Sequence, residues 1–99
     1  MRLAERQRTT IRDCGLRTFG SEAKVRLFGS RLDARKKGGD IDLLVECPMP
    51  VENAGLVTAR MLAKIQMQLG ERKIDILYTW PGRLQSPAHE AARREGIVL

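Results

Sequence analysis

Three aspartates stand in stretches that otherwise read as strands. Asp40 and Asp42 belong to the alternating run Asp40–Glu46, and Asp75 belongs to Lys73–Trp80. Aspartate is depleted in strands, so its recurrence there asks for a reason. Residues two apart on a strand leave the sheet on the same side, which projects the Asp40 and Asp42 side chains together from Cα atoms ~6.5 Å apart. Two carboxylates ~5 Å apart repel by about 3 kcal/mol at an effective dielectric of ~20. A divalent cation between them reverses the sign of that cost. Magnesium suits the role, because it binds through one or two carboxylates together with water and phosphate oxygens. Asp75 is the third strand carboxylate, and with it the set has the composition of a two-ion site. The plainer alternative is an Asp-Ile-Asp at a solvent-facing strand edge, where charge discourages aggregation. An EF-hand loop is excluded, since no further acidic ligands follow Asp42 at the required spacing.

Gly29-Ser30 directly follows a short apolar strand, Val25-Arg26-Leu27-Phe28. A glycine there lets backbone N–H groups approach a phosphate, and a serine hydroxyl adds a donor. No Gly-Lys-Ser/Thr follows, so this is not a Walker A loop. The plain reading is an ordinary strand-to-turn Gly-Ser.

These groups need a frame. Residues 2–18 are polar with Leu3, Ile11 and Cys14 near one helical face, which predicts an amphipathic helix ended at Gly20-Ser21. Arg31 to Gly39 reads as a basic loop. In 40–46, Ile41, Leu43 and Val45 share one face and Asp40, Asp42 and Glu46 the other, with Leu44 as the exception on the polar side. Pro48 and Pro50 end that strand. Residues 51–69 repeat at helical period, with Val51, Ala54, Met61, Leu62, Ile65 and Leu69 on one side and Gly70 as the C-cap. Leu56 and Met67 fall outside that stripe and form a second apolar patch. In 73–80, Ile74, Ile76, Tyr78 and Trp80 face one way. Ser86-Pro87 reads as an N-cap followed by proline at the first helical position. Gly96 stops that helix before an apolar tail, Ile97-Val98-Leu99. The expected order is α-β-β-α-β-α, a small α/β (α+β) domain with a small mixed sheet flanked by helices.

Taken together, the string Val25-Arg-Leu-Phe-Gly-Ser-Arg31 and, with nine residues between Ser30 and its start, Asp40-Ile-Asp-Leu-Leu-Val-Glu46 resemble the signature of the nucleotidyltransferase superfamily typified by DNA polymerase β. The compact size resembles its minimal nucleotidyltransferase (MNT) branch. In that family an apolar-Gly-Ser element precedes an Asp-x-Asp strand, and a third Asp follows on a later strand. Asp75 in Lys73-Ile-Asp-Ile-Leu-Tyr78 fits the third place, and the ending from Glu90 to Leu99 looks like the family's C-terminal helix and tail. The resemblance spans roughly residues 23–99. It implies the nucleotidyltransferase fold, with Gly29 and Ser30 holding the β/γ-phosphates of a nucleoside triphosphate. It implies metal binding by Asp40, Asp42 and Asp75, two Mg2+ ions, and help from Asp75 in deprotonating the attacking hydroxyl. Many members carry Arg-Gly soon after Gly-Ser; this chain reads Arg31-Leu-Asp-Ala-Arg35 instead, which leaves Arg31 or Arg35 for the triphosphate. The loop is about one residue shorter than in many relatives, and Gly39 stands where serine is frequent.

The resemblance further implies transfer of AMP from ATP to a protein hydroxyl. Stand-alone members of this branch are typically antitoxins paired with a helical HEPN-domain toxin, whose tyrosine they adenylylate. A hetero-oligomer with such a partner is therefore expected. Two other readings compete: a catalytically silent antitoxin or regulatory module that masks its partner, and a small basic nucleic-acid-binding protein using the arginine-rich first helix. The latter leaves the carboxylates unexplained, so nucleic acid is not expected as the main partner.

Composition agrees with these limits. At 99 residues the chain is expected to form a single domain over 1–99, an N-terminal helix over 1–20 and a catalytic core over 23–99. Eighteen Lys and Arg against twelve Asp and Glu give a net charge of +6 and a pI near 10.0, which favours polyanionic ligands or an acidic partner. No apolar run approaches the ~20 residues of a membrane span, and the start lacks an apolar signal segment, so a cytoplasmic setting without membrane is expected. Cys14 and Cys47 are too few for a four-cysteine zinc site and read as packing residues. His89, the lone histidine, reads as a surface or capping residue. Tyr78 and Trp80 read as core. Asp33 lies in the basic loop.

Overall fold

The protein is described by a computed structural model covering residues 3–29 and 40–99. Helix α1 spans Glu5–Phe19, and the apolar positions that predicted it, Ile11 and Cys14, are buried. Gly15, next to Cys14, is buried for a steric reason: a Cβ there would sit 2.5 Å from Val25 Cγ2, so the glycine lets α1 settle directly onto strand β1 (Lys24–Phe28). β1 pairs antiparallel with β2 (Ile41–Glu46), in the register Val25↔Val45 and Leu27↔Leu43. Helix α2 (Ala54–Leu69) then crosses to β3 (Ile74–Thr79), which lies parallel to β2. Helix α3 (Pro87–Glu95) leads to β4 (Ile97–Val98), which pairs antiparallel with β1.

The result is a small mixed α/β domain, a four-stranded mixed sheet in the order β3-β2-β1-β4 with three helices. The alternation in β2 divides its faces as the pattern requires. Ile41, Leu43 and Val45 enter the main core with Ile11, Leu27, Met61, Ile65 and Ile74, under α1 and α2. Leu44, the apolar residue on the carboxylate face, is fully buried as well, because α3 packs across β1 and β2 on that side and buries Ala92 there. The irregularity in the alternation thus marks where the third helix sits.

Several boundaries differ from the sequence expectation: β2 begins at Ile41, so Asp40 stands ahead of the strand, and β3 spans Ile74–Thr79, one residue short of the Lys73–Trp80 pattern at each end. The helical period begins at Val51, whereas α2 begins at Ala54. Asn53 takes a left-handed conformation, φ 53°, which asparagine tolerates better than most residues, and this turn delays the helix while Val51 still packs on the core. The apolar tail is more than a tail. Ile97 lies opposite Leu27 and Val98 opposite Arg26, the Leu99 N–H donates to Val25 O at 2.8 Å, and the Arg8 guanidinium donates to Leu99 O at 3.1 and 3.3 Å. A two-residue strand carries too little pattern to be read without its partner.

Candidate functional site

Asp42 and Asp75 are each the second residue of their strands, and the parallel register sets them directly opposite one another. In-register neighbours on adjacent strands are ~4.8 Å apart and send their side chains to the same face. That face is the one α3 covers only in part, and Asp75 is exposed on it. On the other side of Asp42, β1 contributes Phe28 as the cross-strand partner. Gly29 follows at φ 79°, a conformation that favours glycine. A Cβ on Gly29 would fall on Asp42 Oδ2. The glycine therefore serves two ends, turning the chain and leaving room for the carboxylate beside the bend.

Asp40 lies one residue ahead of β2, where Ile41 N–H donates to Lys73 O at 3.1 Å and ties the two strand starts together. Its carboxylate faces Lys73 Nζ at 3.4 Å. Both side chains of that pair are well exposed, 43% and 72%, so the contact is worth ~0–1 kcal/mol and yields readily to another cation. Lys73 was not singled out from the sequence. The signal was available, since it shares strand parity with Asp75 and precedes it by two residues.

The electrostatics follow the geometry. Burial pushes the Asp42 carboxyl above the ordinary aspartate range, the charges of Asp75 and then Asp40 push it further, and Lys73 opposes them. Asp75 and Asp40 thus both act on Asp42 at one end of the sheet. Their oxygens are hard donors of the kind magnesium prefers. Among the described residues, no three His, Cys, Asp or Glu side chains close around a common metal position. The donor chemistry fits a hard cation, with Asp42 and Asp75 placed side by side and Asp40 held toward Lys73. Ser30, Arg31 and Arg35, expected at the phosphates, and Asp33 lie outside the described residues.

The opposite end of the same face holds a separate ionic group. Glu46 accepts from the Arg26 guanidinium and lies 3.6 Å from Arg93 Nε, which joins α3 to β1 and β2. His89 is buried and performs the capping role. Ser86 N–H donates to its Nδ1 at 3.2 Å, its own N–H donates back to Ser86 Oγ, and Nε2 donates to the Tyr78 carbonyl at 3.2 Å. Trp80 packs against the core and stacks on Tyr78 with ring centroids 5.8 Å apart, while the Arg83 guanidinium lies over both rings. Cys14 and Cys47 are free and buried, and burial raises both thiols, which suits packing and disfavours nucleophilic use. Among the described residues no helix is long and apolar enough to cross a membrane.

No protein-family profile matches the chain, and no curated protein matches it significantly.

Proposed function

We propose that the chain is a magnesium-dependent nucleotidyltransferase with the minimal nucleotidyltransferase fold, which moves AMP from ATP to a hydroxyl of a partner protein. The observation that carries this reading is the Asp42–Asp75 pair in parallel register beside the Gly29 bend. A strand pairing that sets two carboxylates opposite each other, on a half-covered face, costs stability unless a cation joins them. Asp40, Asp42 and Asp75 would hold magnesium, which when bound neutralises charge on the triphosphate and the reacting oxygens.

The chain's own residues have three tasks. Gly29 would offer its N–H to a phosphate, and Ser30 with Arg31 or Arg35 would add donors there. The rigid β2–β3 pairing fixes the spacing of the carboxylates, since nucleotidyl transfer needs positioning more than covalent help. Asp75, the most open of the strand carboxylates, accepts the proton of the attacking hydroxyl. That oxygen bonds to the α-phosphorus, the bond between the α-phosphorus and the bridging oxygen breaks, and pyrophosphate leaves. The resemblance to antitoxins of the MNT branch gives the acceptor as a tyrosine of a HEPN-domain partner in a cytoplasmic hetero-oligomer.

The test is label transfer from α-labelled ATP, with magnesium, to the co-purifying partner. Wild-type protein should label the partner and Asp42→Asn should not. The Asp40–Lys73 pair favours one rival, a silent module that masks its partner. That rival predicts an intact complex with no label from either protein.

A further inference from the structure

The sheet has two margins, and they are built differently. β4 is two residues long, a short edge of the kind that resists further pairing. β3 is six residues long and, among the described residues, pairs with β2 alone. In a parallel ladder, alternate residues turn both backbone groups to the same neighbour. Ile41 N–H donates to Lys73 O and Cys47 N–H to Thr79 O, so the odd-numbered residues of β3 face β2. Ile74, Ile76 and Tyr78 therefore turn their N–H and C=O groups outward.

These outward groups are not alike. The Tyr78 carbonyl is taken by His89 Nε2 at the start of α3, which closes the C-terminal half of the edge. Among the described residues nothing takes the outward groups of Ile74 and Ile76. The unpaired part of the edge is thus the part that flanks Asp75, where Ile74 is buried and Ile76 half-buried, their side chains packed in the core. It contains no proline to blunt it.

We propose that the edge at Ile74–Ile76 docks an extended polypeptide segment, which joins the sheet as a further strand and carries the acceptor hydroxyl to Asp75. Strand addition draws its affinity from main-chain hydrogen bonds and its selectivity from alternate side chains. The residue of the added strand opposite Asp75 sends its side chain to the carboxylate face, one strand spacing, ~4.8 Å, from the Asp75 backbone. A serine, threonine or tyrosine there presents its O–H to the group that accepts the proton in the transfer proposed above. The acceptor role rests on that reading; the docking edge does not.

The experiment uses the 15N-labelled full chain and a blocked hexapeptide of alternating valine and threonine with one central tyrosine. Amide hydrogen exchange at Ile74 and Ile76 should slow at least tenfold with millimolar peptide, while Ile41, already bonded within the ladder, should not change. Ile76→Pro removes an N–H that β2 does not use and should weaken peptide binding at least tenfold. Ile76→Val keeps that N–H and should bind as wild type, which separates the backbone from the side chain. No added protection at Ile74 and Ile76 overturns the docking edge, whatever Ile76→Pro does to folding. Protection there that rises with protein concentration and without peptide also overturns it, because β3 would then pair with a second copy. A thermal shift with magnesium and ATP, run alongside, reports on the proposed transfer. Peptide protection without that shift keeps the edge and removes the transfer reading, and the shift without protection does the reverse.

Discussion

Asp42→Asn should stabilise the metal-free protein, and the gain can be worked from the sheet. Asp42 and Asp75 are in-register partners on adjacent strands. At ~4.8 Å their charges repel by about 3 kcal/mol at an effective dielectric of 20, and by about 1 kcal/mol at the dielectric of water. Asp75 is exposed, so the lower figure governs, and removing one charge should stabilise the fold by about 1 kcal/mol. For a domain of this size that raises Tm by about 4–8 °C. The sign with pH is fixed by the raised Asp42 carboxyl. The folded state holds that proton to higher pH than the unfolded chain does, so this group's effect lowers stability as pH climbs from the ordinary aspartate range through the raised folded value. The asparagine variant lacks the effect. Its advantage should therefore be full at pH 7 and vanish below about pH 3, where both states are protonated. Urea unfolding followed by Trp80 fluorescence, at both pH values, measures it. Millimolar magnesium should stabilise wild type and leave Asp42→Asn unchanged. A variant less stable than wild type at pH 7, or an advantage independent of pH, would refute the carboxylate repulsion on which the site depends.

Three further outcomes are expected. Gly29→Ala forces a left-handed alanine, costing about 1–2 kcal/mol, and also drives the Asp42 carboxylate aside; thermal melts should show the loss, and the shift induced by magnesium and ATP should disappear. Gly15→Ala overpacks the α1–β1 contact against Val25 and should lower stability by about 1–3 kcal/mol in urea titration, while the response to magnesium and ATP persists. Leu44→Ala opens a void under α3 and should cost about 2–5 kcal/mol, measured the same way.

The strands and helices that carry strong periodicity were legible because burial imposes it. Ile41, Leu43 and Val45 alternate since one face of β2 enters the main core, and Ser86-Pro87 opens α3 because the orphan N–H groups of a helix start need a cap. Asp42 and Asp75 could be named from their improbability in strands, but their pairing could not. It depends on β2 and β3 being parallel and in register, which the crossover through α2 decides and no local run of residues encodes. The contact between Lys73 and Asp40 was hidden for the same reason, since Asp40 lies on another strand start, although the parity of Lys73 with Asp75 was readable. β4 is too short to have a period of its own, and His89 acts on the Tyr78 carbonyl, a backbone group that no side-chain pattern reports.

The crossover that sets this pairing has a consequence for how the chain can vary in length. The turn from Gly70 to Lys73 is the last spacer before β3 locks against β2. Sliding β3 by a single position would exchange its two faces, sending Asp75 into the oily interior and Ile74 out to water. One residue gained or lost in that turn is thus a far harsher change than its place on the surface suggests. The stretch from Pro48 to Asn53 stands before α2, and an extra residue there can be absorbed before the helix begins. Tolerance to insertion should therefore differ sharply between the two ends of one helix.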